Sequence, residues 1–114
     1  MKVLILGFDN VDEITPAMEK LINESQCYLF NIICGGLGPR PKNPTPAAIW
    51  AKNNGAPIYW MYGYGSLDEL LPALHKETDY LLVKLINSTP QWIKNFMMKH
   101  KQAGKHGTVI RQER

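Results

Sequence analysis

Leu29-Phe30-Asn31-Ile32-Ile33-Cys34-Gly35-Gly36-Leu37-Gly38 is followed by Pro39-Arg40-Pro41-Lys42-Asn43-Pro44 and then by Thr45-Pro46-Ala47-Ala48-Ile49-Trp50-Ala51. An apolar run of this length reads as a buried strand. The glycines after it let the backbone turn and bring bare N–H groups against an anion. Thr45-Pro46 opens a helix, with a hydroxyl cap and a proline at the first helical position, where the missing N–H costs nothing. A helix start adds unpaired N–H groups and the positive end of its dipole. Strand, glycine turn and helix N-terminus together form the phosphate-holding unit of an α/β protein, so the ligand is expected here.

The same alternation extends in both directions. Apolar strands are expected over residues 2–6, 28–34, 57–62 and 80–86, with a fifth over 107–110. Ile14, Met18, Leu21 and Ile22 make one apolar stripe of a first helix. The second helix runs from Thr45 to a stop at Gly55. Ser66-Leu67-Asp68-Glu69 is a capping-box pattern for the third, with Leu67, Leu70, Leu71 and Leu74 facing inward. Thr89-Pro90 starts the fourth, whose inward face is Trp92, Ile93, Phe96 and Met97, and Gly104 ends it. Thr-Pro recurs at 15, 45 and 89, each reading as a cap followed by a first helical proline. Strands that are apolar throughout belong to a parallel sheet covered on both faces. The fold class is therefore α/β: a three-layer, Rossmann-like sandwich with a five-stranded, mostly parallel sheet. Ligands of such sheets bind at the carboxyl ends of the strands, near the switch in strand order, which gathers the loops 7–10, 35–45, 63–66 and 87–89.

A chain of 114 residues reads as one domain, able to bury roughly two-thirds of its unfolded surface. With 45% hydrophobic and 20% charged residues it is neither disordered nor membranous in composition, and no apolar run reaches the ~20 residues of a membrane span. Met1-Lys2-Val3-Leu4-Ile5-Leu6-Gly7 is too short an apolar core for a signal peptide and is followed by Asp9, Asp12 and Glu13, so a cytoplasmic location is expected. Cys27 and Cys34 flank the second strand. Seven residues apart in an extended segment, they stand roughly 23 Å from one another at ~3.3 Å per residue, too far to pair. They read as reduced thiols. The net charge of +3 gathers toward the end, in Lys94, Lys99, Lys101, Lys105, Arg111 and Arg114 against Glu113. That tail is a solvated helix face or a polyanion-binding patch.

With these elements in place the chain resembles a short member of the SLOG superfamily. This Rossmann-like group includes the LONELY GUY cytokinin-activating phosphoribohydrolases, the lysine-decarboxylase-like proteins and DNA-processing protein A. The resemblance covers most of the chain. It rests on Gly7-Phe8 after the first strand and on Gly35-Gly36-Leu37-Gly38 followed by Ala47-Ala48-Ile49-Trp50-Ala51. Gly55-Ala56-Pro57-Ile58, Thr78-Asp79-Tyr80-Leu81-Leu82 and residues 104–109 also fit. It implies a nucleotide or nucleotide-derived ligand on Gly35, Gly36 and Gly38, with Thr45 at the helix start. The chain departs from the family at two points. The Gly-Ala-Asp step is replaced by Pro-Arg-Pro-Lys-Asn-Pro, and no Glu stands between Gly35 and Gly55. Catalytic residues are therefore unassigned.

The expected ligand-binding set is Gly7, Phe8, Asp9, Gly35, Gly36, Leu37, Gly38, Arg40, Lys42, Thr45, Tyr64, Ser88 and Thr89. Arg40 and Lys42 sit in a loop stiffened by prolines, which lowers the entropy lost on closing over a ligand; the loop reads as a basic flap or as plain solvated surface. Phe8 stacks on a base or caps the core. Asp9 accepts from a ribose hydroxyl or is an exposed loop acid. Ser88 and Thr89 are ligand contacts or helix caps. Tyr62-Gly63-Tyr64-Gly65 reads as an aromatic loop for a base or a partner. Lys84, charged within a buried strand, snorkels to an edge or points along the sheet toward a bound anion.

His75, His100 and His106 have no ligand spacing, and no metal or cofactor is implied. The lack of Gly-Lys-Ser/Thr excludes a phosphate-loop kinase, and Tyr62-Gly63 stands where a receiver domain needs its Asp. The first expectation is a nucleotide-binding sensor or accessory module. The second is an N-glycosidic hydrolase with Asp9 as its carboxylate. The third is a nucleic-acid module built on the basic C-terminal helix, the least expected partner class. Apolar helix faces beyond the needs of a small core hint at a homodimer, an arrangement common in the related families. No membrane partner is expected.

Overall fold

The computed structural model describes residues 1–27 and 29–112 of the chain. Five strands alternate with four helices: β1 Lys2–Leu6, α1 Val11–Ser25, β2 Asn31–Leu37, α2 Pro46–Asn53, β3 Ile58–Tyr64, α3 Leu67–Glu77, β4 Tyr80–Leu85, α4 Gln91–Gln102 and β5 His106–Arg111. All strand pairs are parallel, in the order β3-β2-β1-β4-β5. Among the described residues, no helix is long and apolar enough to cross a membrane.

Side chains alternate across each strand, and this splits the core in two. Val3, Ile5, Ile32, Cys34, Tyr80 and Leu82 pack against Ile14, Met18 and Leu21 of α1 and against Ala47, Ala48, Trp50 and Ala51 of α2. Leu4, Ile33, Leu81, Val83 and Leu85 pack against Leu70 and Leu74 of α3 and against Ile93 and Phe96 of α4. The α/β three-layer architecture expected from the strand–helix alternation is the one observed.

Several local readings differ. β2 starts three residues later than expected and extends to Leu37, so Gly35 and Gly36 lie in the strand rather than in a turn; the expected start at Tyr28 lies outside the described residues, as do Glu113 and Arg114. The first helix begins at Val11 behind an Asn10 cap, with Thr15 and Pro16 inside it. At the sixth position of the helix, Pro16 lacks the N–H that would meet the Asp12 carbonyl four residues back, so α1 forgoes one backbone bond there. Asn10 Oδ1 accepts from the Glu13 N–H at 3.0 Å, a stronger cap than a Thr further along. Pro90 itself is the cap of α4. Ser66 does cap α3, but its side chain makes no capping bond, and Glu69 Oε2 accepts from the Gly65 N–H at 3.2 Å. Tyr62 to Tyr64 belong to β3 and not to a loop.

β1 has β2 on one side and β4 on the other, so the strand order switches between β1 and β4. At that point Gly7 has φ +83°, and a Cβ there would stand 2.2 Å from the Lys84 carbonyl oxygen. The chain leaves β1 pressed against β4, and only glycine fits.

Candidate functional site

Two helix N-termini reach the carboxyl edge of the sheet on the α1/α2 side, and they differ in charge. The first turn of α1 holds Asp12 and Glu13. Glu13 also accepts from Asn10 Nδ2 at 3.0 Å and pairs with the Lys84 ammonium. The hydrogen bond from Lys84 holds the Glu13 carboxyl below its usual range, against a smaller opposing effect of burial. Lys84 is 5% exposed, and Asp9, 77% exposed, lies 4.0 Å from it. Lys84 thus neither snorkels nor stands free for an anion: it holds the N-terminus of α1 to β4. The positive end of the α1 dipole is already matched by the protein's own carboxylates.

α2 has no acidic residue in its first turn. Thr45 Oγ1 accepts from the Ala48 N–H at 3.3 Å, and the Thr45 carbonyl accepts from the Ile49 N–H at 3.0 Å. A cavity of about 220 Å³ opens beneath this helix start, between the ends of β1 and β2. Phe8, Ile14, Cys34, Thr45, Ala47 and Tyr62 are among its walls, and Gly7 and Gly35 form part of its floor. Burial pushes the Cys34 thiol up, partly offset by the hydroxyl of Thr45. Burial also pushes the Tyr62 phenol up, with Arg40 opposing. Both groups therefore face the cavity uncharged at neutral pH.

A smaller cleft of about 70 Å³ adjoins it, lined by Arg40, Lys42, Thr45, Lys52, Trp60 and Tyr62. Thr45 and Tyr62 belong to both hollows, so an apolar-walled chamber and a cationic cleft meet at the α2 N-terminus. The Arg40 guanidinium lies 4.2 Å from the centre of the Trp60 ring, a cation–π contact that orders the loop. Among the described residues, no carboxylate lines either hollow.

The expected site residues separate on this geometry. Gly7, Phe8, Gly35, Arg40, Lys42 and Thr45 line the two hollows. Gly36 is covered instead by Tyr62, whose ring carbon would lie 3.2 Å from a Cβ on Gly36. Gly38 has no bare N–H to offer: it donates to the Tyr64 carbonyl at 3.0 Å, while the Gly38 carbonyl accepts from Gly63 at 2.7 Å. Leu37 is exposed. Tyr64 packs on the α3/α4 side of the sheet, away from the hollows. Thr89 Oγ1 accepts from the Ile86 N–H at 2.8 Å, a loop-bracing contact, and Ser88, exposed, lines neither hollow.

Tyr62, expected in an aromatic loop for a base or a partner, lines both hollows from within β3; Trp60 and Lys52, which also line the cleft, have no place among the expected site residues. Trp60 carries a signal in the alternation of β3, which sends residues 58, 60 and 62 toward α2 before the irregularity at Gly63 turns Tyr64 to the other face. Lys52 gave none.

Two roomier hollows lie elsewhere. One of about 470 Å³ sits at the amino ends of the strands, beside Met1, Phe30 and Trp50. Another of about 650 Å³ lies between α4 and β5. Volume alone does not choose a site in a parallel sheet; the carboxyl edge, where helix starts and loops converge, does. Both cysteines are free thiols. Among the described residues, no group of three His, Cys, Asp or Glu side chains is placed to hold a metal ion. No family model, curated protein or solved structure matches this chain.

Proposed function

We propose that the chain binds a nucleotide or nucleotide-derived ligand at the start of α2 and works as a sensor or accessory module. The observation that carries this reading is the meeting of an uncharged chamber and a cationic cleft at Thr45, with no carboxylate among the described residues in either. A phosphate group would take the cleft, between Arg40 and Lys42 and at the positive end of the α2 dipole. The flat, uncharged part of the ligand would take the chamber beside Phe8 and Tyr62. The resemblance to SLOG proteins favours the same ligand class. It differs in the anion contact, which here moves from the glycines to the helix start and the basic loop.

Hydrolysis of an N-glycosidic bond is the weaker reading. It needs a carboxylate beside the ribose, and Asp9, the candidate, is exposed, lies near Lys84 and lines neither hollow. A nucleic-acid module on α4 and β5 is weaker too. Lys105, one of its cations, donates to the carbonyls of His75 at 2.6 Å and Thr78 at 2.9 Å, which ties it to the end of α3.

The test is thermal unfolding against AMP, ADP, ATP, ADP-ribose, NAD and the guanine series, with inorganic phosphate as control. A ligand at a hundred times its dissociation constant adds about 2.7 kcal/mol of stability. The expected result is a shift with at least one nucleotide that the Arg40→Ala/Lys42→Ala double variant loses. A flat panel overturns the reading, as does a shift that the double variant keeps.

A further inference from the structure

The hollow of about 650 Å³ between α4 and β5 is a trough on the α3/α4 face of the sheet, opposite the start of α2. Part of its floor is bare backbone. Gly107 has no side chain, and a Cβ there would stand 2.7 Å from the Leu81 carbonyl oxygen. Leu81, Met97, Met98 and Val109 are its apolar walls, with Met98 57% and Val109 40% exposed. Methionine adapts its shape to what it meets. From Gly107 to Arg111 the strand side runs roughly 13 Å at ~3.3 Å per residue.

One end is closed. Only Ala103, Gly104 and Lys105 join α4 to β5, and His100 Nε2 donates to the His106 carbonyl at 2.6 Å, which pins helix to strand. The charged side chains along the trough are Lys101, Lys105 and Arg111, all cations, and no carboxylate among the described residues lines it. Lys101 and Lys105 stand at the closed end. Lys105 gives two N–H groups to the carbonyls of His75 and Thr78, and an ammonium has a third. Beside it the Nδ1 of His100, a residue 3% exposed, meets no partner among the described residues. Burial, and then the charges of Lys99, His100 and Lys105, hold the His75 ring below its usual range, a measure of the positive potential here. The last carbonyls of α4 do not offset it, being taken by the N–H groups of Ala103, Gly104 and Lys105.

We infer that this trough binds a small anionic amphiphile, with a carboxylate head at the closed, cationic end and an unbranched apolar tail along Met97, Met98 and Val109. Charge complementarity selects the head and the apolar walls select the tail. The closed end selects against bulkier occupants: a helix is ~10 Å across with its side chains and does not fit where so short a link joins α4 to β5. A second copy of the chain would set Lys101, Lys105 and Arg111 against their own counterparts. A nucleic-acid backbone needs cations turned outward, whereas Lys105 is turned in to α3. The trough lies on the far side of the sheet from the hollows at α2, so the inference stands apart from the nucleotide reading.

Nuclear magnetic resonance of the full chain, titrated with decanoate below its micelle concentration, with decanol and with acetate, tests it. The expected result with decanoate is saturable shifts of the Met97 and Met98 methyl groups and of the Gly107 and Val109 amides. Acetate, without a tail, shifts none of them, and decanol, without a charge, binds at least about tenfold more weakly. Val109→Glu, which sets a carboxylate in the trough, weakens decanoate at least about tenfold with far-UV circular dichroism unchanged; Lys101→Glu repeats the test at the head end. Decanoate that leaves these groups unshifted overturns the inference. So does decanol that binds as tightly as decanoate, or decanoate binding that both variants keep. An acidic peptide or an oligonucleotide that shifts the same groups where decanoate does not overturns it too, and assigns the trough to that partner. The titration itself uses the unmodified chain, so the outcome holds even where a variant fails to fold.

Discussion

At the scale of single residues, the carboxyl edge has one position, Gly7, with room for glycine alone. Gly7 ends β1 in a left-handed conformation against the Lys84 carbonyl, and its neighbour across the gap is the lysine that holds α1. An alanine there meets two penalties, the left-handed backbone and the overlap with β4. Gly7→Ala is expected to lose about 2–4 kcal/mol in urea denaturation. Gly55→Ala is the control, since Gly55 has φ +67° with open space around it and should lose only about 1 kcal/mol. Equal losses at the two positions would show that the contact with Lys84 contributes nothing. Lys84 itself is an ion pair formed across the fold, 71 residues from Glu13. Its chemistry is visible in the chain, but its partner is not.

At the scale of elements, the helix starts do the sorting. α1 and α3 carry acidic residues in their first turns, and α2 carries none. The start of α2 is therefore a positive pole with no acidic residue in its own first turn, and Thr45 is the residue that shapes it. Thr45→Ala should cost about 1 kcal/mol through the lost cap and Thr45→Ser only a few tenths, read as midpoint shifts in urea. If serine costs as much as alanine, packing of the threonine methyl group and not the cap is what holds the helix start. The strands sort differently: β2 outlasts its expected end by three residues because β3 beside it continues to Tyr64, with a register shift between Gly35 and Leu37. Glycines that read as a turn are drawn into a ladder by their neighbour.

For the whole molecule, long-range ion pairs tie the helices to the sheet. Lys2 pairs with Glu77 at the end of α3, and Lys84 with Glu13 at the start of α1. Each lysine, through its hydrogen bond, holds its glutamate below the ordinary value of 4.5. A depressed carboxyl stabilises the fold fully above the unfolded value, and that stability is lost as pH falls through the folded value. Acid should therefore weaken the protein from about pH 4.5 downward. The Glu13→Gln/Glu77→Gln variant should have a flatter stability profile in this window, followed by urea denaturation at stepped pH. A profile as steep as that of the unmodified protein would assign the acid sensitivity to other groups. Lys2 is raised by the same contact with Glu77, so its share of stability is present below 10.5 and is lost as pH rises through the folded value.

The sequence by itself determined the strand and helix count, the parallel sheet with helices on both faces, and the helix start at Thr45. Those features are local: apolar runs, a 3.6-residue stripe, and a hydroxyl–proline pair act within a few residues of one another. It also carried Phe8, Arg40 and Lys42, because their loops follow strand ends, and in a parallel sheet all strand ends converge. What only the tertiary structure decided depends on register and on residues far apart in the chain. Tyr62 enters the chamber and Tyr64 leaves for the other face because the β3 ladder shifts beside Gly35. Gly38 gives its N–H to Tyr64 and not to an anion. Lys84 meets Glu13 only when β4 comes to lie beside β1. The physical reason is the same in each case: a backbone donor or a buried charge takes whichever partner the packed sheet brings within reach, and nothing local names that partner in advance.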